Sequence, residues 1–110
     1  MKLDQILNSG VNDLSSLSNR YKLNQNFPNP FNPRTRIQYT ISSRQFVTLK
    51  VYDVLGNEVA TLINEELPAG EYEVEFSVGQ DSSPDIASGV YFYQLKAGSF
   101  IQTKKMIYLK

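Results

Sequence analysis

A chain of 110 residues with 41% hydrophobic side chains can form one modest core but not two. It has no cysteine and no histidine, which excludes disulfides, thiol nucleophiles, histidine-dependent triads and the commonest zinc ligands. Its formal net charge is zero, yet every charged side chain from 51 to 85 is acidic and every one from 86 to 110 is lysine.

Helical spacing occurs only at the start, through Leu3, Ile6, Leu7, Val11, Leu14 and Leu17, and Gly10 and a Ser/Asn-rich stretch interrupt it. Short isolated helices are marginal in water, so residues 1–20 are expected to be a partly helical or flexible linker. Asp4 stands where an apolar h-region would begin, so MKLDQILNSG does not read as a signal peptide. No run of about 18 apolar residues is present to span a membrane as a helix. The chain is therefore expected either to stay inside the cell or to be the mature or C-terminal piece of a longer exported one.

From Tyr21 the apolar period becomes two, and Tyr21–Asn26 reads as a first strand. Next comes QNFPNPFNPRTRIQY, with Pro28, Pro30 and Pro33. Each proline fixes its own φ and lacks a donor, and each drives the preceding Phe27, Asn29 or Asn32 toward extended conformations. The stretch is expected to be a rigid arm with Phe27 and Phe31 as aromatic anchors. It should cross one end of the fold between the first and second strands, its missing donors discouraging edge pairing.

Ile37, Tyr39 and Ile41 alternate with polar neighbours, and Val47, Leu49 and Val51 do the same. Tyr72, Val74 and Phe76 alternate with Glu71, Glu73 and Glu75, the clearest strand pattern in the chain. Tyr91, Tyr93 and Leu95 form a further inward set, and 59–63 and 100–109 are strand-like with less definite faces. Turn chemistry separates these runs at Leu55-Gly56-Asn57, Leu67-Pro68-Ala69-Gly70 and Ala97-Gly98, and along the longer 79–89 connection.

The pattern predicts an all-β, immunoglobulin-like antiparallel β-sandwich of about seven strands over residues 21–110. Tyr39, Leu49, Val51, Tyr72, Val74, Phe76, Tyr91 and Leu95 are expected to be buried. In that strand order the second strand lies beside the fifth, which brings Arg36 to the glutamates and explains the charge segregation without a ligand. A tyrosine shortly after Gly89 sits where such folds begin their sixth strand. Residues 99–109 should pair with 90–96 and form a sheet edge.

Candidate sites reduce to ordinary structure. Pro30-Phe31-Asn32-Pro33 is a single PxxP pattern with a bulky residue inside, and a structural arm is the preferred reading. Asp81 and Asp85 lack the spacing of a calcium loop. The Glu71/Glu73/Glu75 stripe and the Glu65-Glu66 pair have nothing to raise one carboxylate above another. The acidic middle argues against a nucleic-acid surface. No enzyme, cofactor or metal site is expected.

Three stretches carry a family resemblance: Leu23–Pro33 with its NFPNPFNP core, Val51–Val59 (VYDVLGNEV), and Ser88–Tyr91 leading to Lys104-Lys105-Met106. In that order they resemble the C-terminal sorting domains of the type IX secretion system of Bacteroidetes and related bacteria, over residues 21–110. The resemblance implies a non-catalytic sorting signal that ends a secreted cargo protein and is recognised by the outer-membrane translocon. A sortase-like cell-surface peptidase would cut upstream, in the linker before Tyr21, and the product would be secreted or held at the cell surface after passing the periplasm and outer membrane. It also implies a recognition stretch at Gly89–Lys110, with Gly89, Tyr91, Lys104, Lys105, Met106 and Lys110 as candidate recognition residues. Pro28, Asn29, Pro30, Phe31, Pro33, Gly56 and Gly70 are its candidate structural motif. Because no cargo and no signal peptide accompany the sandwich, the chain is expected to be an excised domain or a short protein using a sorting-like fold for another purpose. The alternative is a structural or adhesive sandwich module of an extracellular protein or surface assembly.

Overall fold

A computed structural model of the protein describes residues 21–79 and 84–110. The expected linker at 1–20, and Asp81 of the 79–89 connection, lie outside the described residues. The strands are β1 (Lys22–Leu23), β2 (Arg34–Ile41), β3 (Gln45–Tyr52), β4 (Glu58–Leu67), β5 (Gly70–Ser77), β6 (Gly89–Ala97) and β7 (Phe100–Tyr108). They form two antiparallel sheets, β1-β2-β5 and β4-β3-β6-β7, packed face to face.

The period-two pattern explains the packing. β2 buries Thr35, Ile37, Tyr39 and Ile41 and turns Arg34, Arg36 and Gln38 outward. β3 and β6 are central strands, so their inward sets Val47, Leu49, Val51 and Tyr91, Tyr93, Leu95, Ala97 are buried. Fully burying side chains of this size contributes roughly 1.5–3 kcal/mol each.

β2 does lie beside β5, in continuous register from Arg34↔Ser77 to Ile41↔Gly70. The arginines meet the glutamates one step along the diagonal, Arg34 with Glu75 at 3.1 Å and Arg36 with Glu73 at 3.4 Å. Both pairs are exposed, so each is worth about 0–1 kcal/mol, and they bias which strands neighbour each other more than they stabilise them.

Two of the expected core positions need correction. Tyr72 and Val74 face inward as the register requires, but they are half-buried rather than buried. β5 is the outer strand of its sheet, so only one flank of these side chains is covered. In the constant-type immunoglobulin arrangement the fourth strand would join this sheet; here β4 pairs with β3 instead, with register shifts at Leu49/Lys50 and Val51/Tyr52. Tyr72 compensates by stacking on Tyr39 with centroids 5.4 Å apart and donating its hydroxyl to the Pro68 carbonyl at 2.6 Å.

Candidate functional site

The last two strands form a tight hairpin, in register from Gly89↔Tyr108 to Ala97↔Phe100. Gly98 turns it with φ of 59°, and a Cβ there would sit 2.9 Å from the Gln45 amide oxygen. The positive φ favours glycine at this position, and any side chain there would also have to displace the flexible end of Gln45. At the far end Tyr91 is buried and donates its hydroxyl to the Ala87 carbonyl at 2.7 Å, tying the strand to the loop before it. Burial raises its pKa, with the nearby Asp53 charge adding to the effect.

The candidate recognition residues do not form one patch. Consecutive strand residues face opposite ways, so half-buried Lys104 turns inward opposite Tyr93 while exposed Lys105 turns outward opposite Phe92. Met106 is fully buried and belongs to the core. Gly89 opens β6. Lys110 is exposed beyond the strand, its amide bonded to the Ser88 hydroxyl at 2.9 Å. Gly56 turns the β3–β4 hairpin and Gly70 opens β5, as the turn chemistry requires.

The proline arm behaves differently from the expectation. It does not simply cross one end with its donors missing. It pairs first with β2, through reciprocal Phe27–Arg36 main-chain bonds of 2.9 Å. Then it crosses to the other sheet and pairs in parallel with the end of β7, Phe31 donating to Ile107 O at 2.9 Å and accepting from Leu109 N at 3.1 Å. Prolines at 28, 30 and 33 leave Phe27 and Phe31 with their own amides, and those two residues make the strand contacts. Asn29 adds a side-chain bond, its amide oxygen accepting from Ile107 N at 2.9 Å. Gln25 donates to Lys105 O at 2.7 Å.

The two anchors also divide. Phe31 is buried between Phe76 and Tyr108, with centroids 5.9 and 5.2 Å away. Phe27 is 79% exposed and anchors nothing with its ring. Pairing with β2 turns its side chain outward, over the arginine–glutamate face.

A buried polar cluster holds the root of the arm, and sequence reasoning missed it. The Tyr93 hydroxyl donates to Asn24 O at 2.7 Å and accepts from Asn26 N at 2.8 Å. Asn26 donates to the Thr35 hydroxyl at 2.9 Å, and Thr35 donates to Pro28 O at 2.9 Å. Asn26 and Thr35 are the buried polar side chains of the described residues, and each is satisfied, as burial demands. Burial pushes the Tyr93 hydroxyl up to about 12. The available signal was the asparagine preceding a proline-rich run, since such residues bond their own backbone in turns.

Among the described residues no group of three histidine, cysteine, aspartate or glutamate side chains could hold a metal ion. The β5 glutamates stand exposed, paired with arginine or open to solvent. What the arrangement offers is surface: one fixed hairpin, an edge strand partly covered by its own arm, and separated charge. No helix among the described residues is long and apolar enough to cross a membrane.

Comparison with curated proteins and with solved structures gives no match. A family model described as secretion system C-terminal sorting domain matches residues 25–109, from the root of the proline arm to the end of the last strand. That span is most of the chain and takes in the NFPNPFNP core of the arm, Val51–Val59 and Ser88–Met106, and the chain belongs to this family of secretion-system C-terminal sorting domains.

Proposed function

We propose that this sandwich is a non-catalytic address that directs an N-terminally fused cargo through the type IX secretion system to the cell surface or beyond. The outer-membrane translocon reads the folded domain, and a sortase-like surface peptidase cuts before Tyr21. The observation that carries this reading is the family match across the arm and the terminal hairpin together. The geometry is compatible with it. Tyr21 stacks on Phe100, at the start of β7, with centroids 5.4 Å apart. The cargo connection therefore leaves one end of β7, while Tyr108 closes the strand at the other, about 27 Å away at strand rise. Lys104, Lys105 and Lys110 would steer an acidic receptor surface, because charge complementarity governs encounter and specificity.

The test is a fusion of residues 21–110 to a periplasmic reporter in a type IX-competent host. Surface delivery of the reporter is expected. Retention in the periplasm would overturn the sorting role and favour a structural or adhesive module.

A further inference from the structure

The arm covers only part of the outer edge of β7. In an antiparallel ladder, backbone groups point alternately toward the partner strand and away from it. The arm bonds to the Lys105 carbonyl, the Ile107 amide and carbonyl, and the Leu109 amide, so odd-numbered residues of β7 turn their main chain away from β6. The β6–β7 register runs without a shift. Ile101 and Thr103 therefore present the same outward groups, and among the described residues no hydrogen bond reaches them from that side. Ile101 is 58% exposed.

The other long outer strands are guarded. β5 carries Glu71, Glu73 and Glu75 on its exposed face. β4 carries Glu58, Glu65 and Glu66 and has the register shifts against β3. Glutamates repel an incoming acidic strand, and bulges disturb the ladder it would extend. The flank formed by β1 and β7 has the opposite charge. Lys96 sits beside Ile101 in register, Lys104 and Lys105 follow on β7, and Lys22 lies on β1. Residues 86–110 contain no acid.

We propose that the open stretch Ile101–Lys104 accepts an acidic extended segment of the export machinery as an added β-strand, with the proline arm as the stop that ends the added ladder at Lys105. The identity of that partner rests on the sorting role; the docking mode rests on the edge and its charge. Main-chain pairing supplies attachment, and the lysines select the sign of the incoming segment.

The probe is an end-capped pentapeptide alternating glutamate and valine, titrated into the 110-residue chain, with a lysine–valine twin as control. Amide hydrogen exchange at Ile101 and Thr103 should slow by on the order of tenfold with the acidic peptide. It should stay unchanged with the basic peptide, and the Ile107 amide should not respond to either. Thr103→Pro removes an outward donor without taking a main-chain bond from β6, a position where an edge strand tolerates proline; it and Thr103→Glu alike lose the exposed Gln94 bond to the Thr103 hydroxyl at 2.9 Å. Thr103→Glu keeps the donor and repels the acidic segment. Both variants should lose the protection, and in the reporter fusion both should lose surface delivery.

The proposal is overturned if the acidic peptide leaves Ile101 and Thr103 unprotected, or protects β5 equally. It is also overturned if the chain associates with itself and Thr103→Pro abolishes that association, since the edge would then serve a second copy. A wild-type fusion retained in the periplasm defeats the sorting role alone, because the peptide measurement needs no export. A wild-type fusion that is exported together with both Thr103 variants defeats the docking mode alone.

Discussion

Phe27 and Phe31 stand four residues apart in the same arm, and alanine in place of each should have very different consequences. Phe31→Ala removes a ring 2% exposed, packed against Phe76 and Tyr108. Buried Phe→Ala changes cost about 3–5 kcal/mol through lost transfer energy and the cavity left behind. The two main-chain bonds from residue 31 to Ile107 and Leu109 are worth only about 0.5–1.5 kcal/mol each in net terms, so they cannot hold the arm once its anchor is gone. Phe27→Ala removes a ring 79% exposed and should stay within about 0.5 kcal/mol of wild type, as other surface changes do. Urea denaturation of both variants reads the global effect, and amide exchange at Ile107 and Leu109 reads release of the arm. Phe31→Ala should lower the midpoint, or expose those amides if the arm lets go before the sandwich unfolds. A Phe31→Ala protein matching Phe27→Ala in both measurements would refute the idea that one side chain fastens the arm to β7.

Tyr93→Phe should cost about 1–3 kcal/mol, because it leaves Asn26 N and Asn24 O without their shared partner; the denaturation midpoint checks this. Burial pushes the hydroxyls of Tyr39 and Tyr93 up to about 12 from 10.0. Deprotonation therefore favours the unfolded chain, and their stabilising contribution should hold below about pH 10 and be lost between about 10 and 12. Tyrosinate absorbance followed against unfolding would show this, and two buried tyrosines titrating near 10 in the folded protein would contradict it. Gly98→Ala should destabilise by about 1–2 kcal/mol through the left-handed backbone, the flexible end of Gln45 moving aside at little cost; thermal melting measures the loss.

Much of this protein was legible in its sequence because period-two alternation is a local property. The inward sets of β2, β3 and β6 follow from the pleat, and so does the inward direction of Tyr72 and Val74. The glycine turns were readable from backbone sterics, and the β2–β5 pairing from opposite charge within the expected strand order. Alternation also contained the opposite directions of Lys104 and Lys105, although their adjacency in sequence suggested one basic pair.

What only the tertiary structure decided concerns neighbours distant in the chain. How deeply Tyr72 and Val74 are buried depends on β4 joining β3 instead of β5. That Phe31 is an anchor and Phe27 is not depends on the arm changing sheets between them, and period-two reading cannot see a crossing. The Tyr93 hydroxyl finds Asn24 and Asn26 from 67 or more residues away. The open half of the β7 edge exists because the arm, nearly 80 residues earlier in the chain, covers the other half. Local sterics set which residues form strands and which way they face, whereas burial, edge closure and polar satisfaction are set by which strands meet.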